Sequence, residues 1–210
     1  MSFLQKIGRV LSEAAAQRRA RGSGAAARFF LRHVYSRSTM VLFESREKQL
    51  RLSLPASLDV VSVSAAERAA YSQAIDEAGA GSDVSNFDRG ATAWLILADN
   101  VGVAVGWRFT ASPLFRPLGY DPATTIYLGG YHVLDAYRGR GLYPYLVQRM
   151  FADTPAASCA IAETSQGNAS SQRGLTKAGF TCRGLIHRTT VGGSLLGCRL
   201  VEQPGRLRLS

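Results

Sequence analysis

The sequence predicts a mixed α/β fold, α+β in arrangement, with a mostly antiparallel central sheet flanked by helices. Three observations predict it. Short apolar runs of strand length alternate with segments of helical periodicity from about residue 60 to residue 200. Two such runs, 93–98 and 101–109, are joined by Asp99-Asn100, a two-residue turn of the hairpin kind, which makes them an antiparallel pair. A further run, 125–133, leads through a glycine-rich loop straight into a helix that starts at Leu142.

Taken in order, residues 3–21 place Phe3, Leu4, Ile7, Val10, Leu11 and Ala14 at helical spacing, with Lys6, Arg9, Arg18 and Arg19 elsewhere round the helix. Residues 21–24 break this segment, and 25–35 suit a second helix bearing Phe29, Phe30 and Leu31. The apolar faces suit docking on the protein's own core or lying on a membrane surface, and the Arg- and Ala-rich, acid-poor start also has the composition of a cleaved organelle-targeting peptide. Residues 39–43 and 50–54 read as a hairpin or as a strand and connector, and Pro55 marks a boundary. The organisation expected is a basic amphipathic helical extension over 1–55, a domain over 56–201 and a tail over 202–210. Within the domain, 60–63 is a strand, 65–78 a helix and 79–82 a break. Residues 112–121, rich in Pro and aromatics, form a loop suited to a pocket wall. The helix from Leu142 runs to about residue 152, stopped by Pro155. A strand at 158–162, a helix at 169–178 closed by Gly179, and strands at 180–185 and 189–200 complete the chain.

At 210 residues, 46% hydrophobic and 19% charged, the chain can bury one good core, and no apolar run approaches the roughly 20 residues that span a bilayer. The net charge of +10 is uneven: residues 1–43 hold eight Lys or Arg against one acid, Glu13. Such a start attracts anionic lipid or an acidic partner, so peripheral membrane contact through residues 1–35 is one expectation. It lacks the clustered aromatic and basic face of a nucleic-acid module. Cys159, Cys182 and Cys198 are widely spaced and without metal-ligand spacing, so they read as reduced core residues of a cytoplasmic protein, with no metal expected.

The chemistry-bearing segment is Arg138-Gly139-Arg140-Gly141-Leu142-Tyr143. A loop running into a helix exposes backbone N–H groups at the positive end of the helix dipole, glycines let a phosphate approach, and two Arg side chains add charge-assisted bonds. The same glycines also suit a simple turn.

The run from Val133 to Gly141, with Asn168-Ala169-Ser170-Ser171 and Lys177-Ala178-Gly179-Phe180, resembles the GNAT superfamily of acyl-CoA N-acyltransferases over about residues 58–195. Arg138 and Gly141 match the family's pyrophosphate motif, while Tyr143 replaces its final small residue. The resemblance implies acetyl-CoA or another acyl-CoA as donor. Its pyrophosphate would lie on Arg138, Gly139, Arg140, Gly141, Leu142 and Tyr143, and its pantetheine between two splayed strands, near Val133, Asn168 and Ser171. It implies direct attack by a primary amine on the thioester. The family often carries a general acid Tyr where Leu175 stands and a Glu base where Tyr127 stands.

A free amine with pKa ~10 is mostly protonated at neutral pH, so a base would help. Glu163 is the first carboxylate candidate, a capping or surface role being its alternative. Strict alternation puts Tyr127, Gly129, Tyr131 and Val133 on one face of their strand and Leu128, Gly130 and His132 on the other. Tyr127, Tyr131 and His132 are therefore rival candidates, an imidazole titrating ordinarily near neutrality. The sequence is similar to members that acetylate amino sugars in surface-polysaccharide pathways. A non-catalytic acyl-CoA-binding module and an enzyme using long-chain acyl carrier protein donors are the competing readings.

Overall fold

The computed structural model describes residues 35–191 and 194–202, together with Arg19 and residues 22–24. The helices expected over 3–21 and 25–35, and the tail beyond 202, lie outside the described residues.

Among the described residues one eight-stranded sheet organises the chain. The strands are β1 (Tyr35–Ser45), β2 (Asp59–Val63), β3 (Thr92–Ala98), β4 (Val101–Thr110), β5 (Thr125–Val133), β6 (Cys159–Ser165), β7 (Thr181–Val191) and β8 (Ser194–Glu202). Their order is β2-β3-β4-β5-β6-β1-β7-β8. Every neighbouring pair is antiparallel except β5 and β6, which are parallel. The helices are α1 (Arg68–Glu77), α2 (Leu142–Ala152) and α3 (Ala169–Lys177), supplemented by 3₁₀ turns at Gly81–Arg89, Pro113–Leu118 and Asp135–Tyr137.

Local chemistry explains most boundaries. The β3–β4 hairpin turns on Asp99 (φ 49°) and Asn100 (φ 67°), both in the left-handed region that Asp and Asn tolerate best among residues with a side chain. Asn168 caps α3 by accepting the Ser171 N–H at 3.0 Å. Gly179, at φ 89°, reverses the chain after it, and its N–H answers the Thr176 carbonyl at 3.0 Å.

Two expectations need correction. Residues 35–45, placed in the extension by the sequence reading, form β1 in the middle of the sheet, paired to β6 on one side and β7 on the other. Residues 50–54 are the connector: Leu52 and Leu54 pack on the main core, and the N–H groups of Arg51 and Leu52 both donate to Gln148 Oε1 at 3.0 Å. The strand expected from residue 189 instead divides, Thr189 belonging to β7 and β8 starting at Ser194.

The sheet is covered on both faces. On one, Val41, Phe43, Ile96, Ile126 and Leu128 meet α2 and α3. On the other lie two clusters. Val63, Ala93, Leu95, Val105 and Trp107 pack under α1. Leu42, Ile161, Ile186 and the partly buried Tyr127 pack against Phe115 and Tyr120 of the 112–121 loop. Fully burying a side chain such as Phe43 or Leu128 contributes roughly 1.5–3 kcal/mol.

Candidate functional site

The parallel pair β5–β6 is hydrogen-bonded only from Thr125–Cys159 to Leu128–Ala162. Beyond Leu128 the strands part, while β5 stays paired to β4 as far as Val133 opposite Ala104. The parting leaves the backbone edge of β5 over residues 129–133, and of β6 from Glu163, without each other as partners. Unpaired strand edges offer N–H and C=O groups to an extended ligand.

At the parting β5 carries a bulge. Val105 faces His132 and Trp107 faces Gly129, so β5 holds one residue more than β4 in this interval. Gly130 is that irregularity: its φ is 60°, and a Cβ there would stand 2.8 Å from Trp107 Cδ1. The bulge overturns the alternation expected for β5. Tyr127 packs with Phe109 and Phe115 on one face of the sheet. Tyr131 turns to the other, its ring 4.6 Å from that of Tyr143. Tyr127 and His132 therefore share a face, and Tyr131 does not.

The loop after β5 takes the shape the sequence indicated. Gly139 (φ 77°) and Gly141 (φ 80°) are both left-handed, and Gly141 is the N-cap of α2. The first helical bond of α2 runs from Tyr145 N–H to Gly141 O at 3.1 Å. Leu142 and Tyr143 precede it, so their N–H groups have no helical carbonyl to meet and point out of the helix end. Arg138 pairs with Asp135 at 2.9 Å and donates from Nε to Val133 O at 3.3 Å. Arg140 stacks on Tyr137 at 4.9 Å. A third cation comes from α3: Lys177 Nζ lies 3.8 Å from where a Cβ on Gly141 would stand. Sequence spacing could not show Lys177 here, because it arrives from another helix.

Tyr143, the departure from the family's motif, turns away from the loop onto α3. Its ring lies where a Cβ on Gly174 would have to go, and its hydroxyl is 3.0 Å from Ser171 Oγ. Burial pushes this phenol up to about 12, the Ser171 hydrogen bond opposing. Leu175 is fully buried in the core.

The candidate bases differ sharply. Glu163 has a side chain with 0% exposure and accepts from Arg188 Nη1 at 2.7 Å, while its other oxygen, Oε1, has no partner among the described residues. Burial raises its carboxyl above the ordinary range, with Arg188 opposing. Burial is the largest single influence on Arg188 and lowers it, but Glu163, Tyr127 and Cys198 together outweigh burial and leave it raised. Each partner favours the charged form of the other, and burial opposes it on both sides. Burial raises the Tyr127 phenol, with Glu163 adding to it, and the Tyr131 hydroxyl is shielded and raised likewise. His132, by contrast, is 41% exposed, with Nε2 at 3.1 Å from Oδ2 of Asp83, itself 31% exposed. Asp83 was not legible in the sequence as a site residue; it comes from the 3₁₀ turn after α1.

Burial pushes the Cys159 and Cys198 thiols up to about 11 and raises Cys182, so none is set up as a nucleophile. No helix among the described residues is long and apolar enough to cross a membrane.

No family model matches the sequence, and no curated protein matches it. Solved structures do. One assigned to the GNAT family of acetyltransferases, from Novosphingobium aromaticivorans, is 14% identical with a TM-score of 0.51, covering 74% of this chain and 64% of its own. A GCN5-related N-acetyltransferase from Kribbella flavida is 20% identical with a TM-score of 0.50, covering 79% and 63%. A tandem GNAT protein from the clavulanic acid biosynthesis pathway is 14% identical with a TM-score of 0.52, covering 82% and 59%. The chain thus spans less than two thirds of the length of each. At these identities the likeness establishes architecture alone, and the architecture is that of the GNAT acetyltransferases.

Proposed function

We propose that this protein is an acyl-CoA-dependent N-acyltransferase, with acetyl-CoA as the donor and a primary amine as the acceptor. The observation that carries the reading is the conjunction of the parted β5–β6 edge with the loop that follows β5. The edge offers backbone to pantetheine; the loop offers the N–H groups of Leu142 and Tyr143, the left-handed glycines and three cations to a pyrophosphate. The donor supplies an acyl thioester, and the chain's residues do the rest.

His132 accepts a proton from the attacking amine, and Asp83 holds its ring and the positive charge it gains. The amine nitrogen bonds to the acyl carbon as the carbon–sulfur bond breaks. Tyr143, protonated at neutral pH and hydrogen-bonded to Ser171, is assigned to return a proton to the thiolate, a role the buried Leu175 cannot fill. Glu163 is assigned to architecture, since its ion pair and complete burial keep it from exchanging protons. Asn168, exposed at the start of α3, spends its side-chain oxygen on the helix cap and retains its amide N–H groups for the pantetheine.

The acceptor class favoured is an amino sugar, on the sequence resemblance. The second reading, a module that binds acyl-CoA without turnover, draws on the absence of a Tyr at position 175. Calorimetric titration with acetyl-CoA and longer acyl-CoAs, followed by thiol release against amino sugars, polyamines and peptides, separates the two. Binding with release for one amine class supports the enzyme; binding without release across the panel supports the module. Gly141→Val forces a β-branched residue to φ 80° and should weaken acyl-CoA binding at least about tenfold. Unchanged affinity would remove the pyrophosphate assignment.

A further inference from the structure

We propose that the opposite end of the sheet holds a second binding site, a cleft built around Arg108 that takes a small organic oxyanion, a carboxylate or phosphate monoester on a compact apolar group. The cleft has a volume of about 350 Å³. Its polar walls are Thr92 of β3, Arg108 and Thr110 of β4, Thr125 of β5 and Thr154 after α2. Phe109, Pro122, Ile126 and Ala157 supply apolar surface. Thr125 opens β5 and Val133 closes it, so at ~3.3 Å per residue the cleft stands roughly 25 Å along the strand from the glycine loop. The proposal is therefore independent of what that loop binds.

Arg108 is what calls for a ligand. Its Nη1 donates to Thr154 Oγ1 at 2.8 Å and its Nη2 to Thr92 Oγ1 at 2.9 Å, both neutral acceptors. Among the described residues no carboxylate pairs with it, and burial lowers its pKa, the mark of a cation partly stripped of water and not repaid by an opposite charge. The carbonyls past the end of α2, which could have answered the charge, are occupied: Lys48 Nζ donates to the oxygens of Thr154 and Pro155 at 2.7 and 2.8 Å. Two cations thus converge on one end of the sheet, with one of them facing a cavity lined by threonine side chains. A fork of guanidinium N–H groups matches a carboxylate or phosphate. The volume lies in the range of about 300–1,000 Å³ typical of small-molecule sites, more than an inorganic ion fills, and the apolar walls call for an apolar group beside the charge.

The test is a titration of the isotope-labelled full chain with benzoate and with phenyl phosphate, using benzyl alcohol as the neutral control and following backbone amide shifts. Saturable shifts at Thr92, Thr110 and Thr125 with either acid, absent with the alcohol, are expected, and the stronger acid names the anion class. Arg108→Met should weaken binding about tenfold, the loss of a charge-assisted contact. Thr110→Glu, an exposed position that leaves both Arg108 bonds in place, should do the same by repulsion and carries the test if Arg108→Met does not fold. Shifts confined to 134–143, an equal response to the alcohol, or native affinity in Thr110→Glu would overturn the proposal.

Discussion

Two carboxylates lie on the same face of the sheet, each beside a nitrogen-bearing side chain, and the structure surrounds them differently. Glu163 is sealed against Arg188 with no side-chain exposure, whereas Asp83 and His132 stay 31% and 41% exposed. In the first pair the carboxylate has no exposed side-chain atom and is held by a guanidinium, so the contact ties β6 to β7 across β1. In the second the partner is an imidazole left partly open to solvent, which suits the proton-accepting role proposed for it. Residue type alone would have favoured the glutamate; burial and the identity of the partner reverse that preference.

The largest effect expected from breaking this contrast is on rate. His132→Ala should lower kcat by about 10²- to 10⁴-fold, the usual worth of general base catalysis, with acyl-CoA affinity and thermal stability unchanged. A variant with native kcat would remove His132 from the mechanism. Next in size is a loss of stability without a specific loss of rate. Glu163→Ala leaves Arg188 without its partner and should cost about 3 kcal/mol in denaturant unfolding, while the folded fraction keeps native kcat. A selective collapse of kcat in stable Glu163→Ala protein would return Glu163 to the chemistry.

Asp83→Asn keeps the shape and removes the charge behind His132, and should lower kcat about tenfold with KM for the donor unmoved, as fits a positioning residue. A change in KM alone would make the contact structural. A smaller, signed effect comes from pH. The carboxyl of Glu163 is raised on folding by burial, so its contribution to stability is fully present below the ordinary carboxylate range and is lost as pH rises through the raised value. The unfolding free energy of the wild type relative to Glu163→Gln should therefore fall from about pH 4 upward and then level. A rise over the same interval would mean that Arg188 outweighs desolvation. Last, with Cys159 and Cys198 pushed up to about 11, alkylation of these thiols in native protein should be slow at neutral pH, and fast alkylation would show that the core around them opens.

What the sequence determined by itself is local. The apolar run 125–133 marked β5, the glycines and the helical period set α2 to start at Leu142, Asn168 and Gly179 bracketed α3, and Asp99-Asn100 made the hairpin. Each of these follows from a residue's own φ preference or from repeats within a few residues, and so needs no knowledge of the rest of the chain. Only the tertiary structure decided the placement of β1 between β6 and β7, where Thr39 meets His187 across 148 residues. It also decided the bulge at Gly130 that turns Tyr131 away from His132, the arrival of Asp83 at His132 and of Lys177 at Gly141, and the burial of Glu163. These depend on which distant segments compete for a strand edge or a share of the core. That competition is settled by packing and desolvation over the whole molecule, and no stretch of sequence carries it alone.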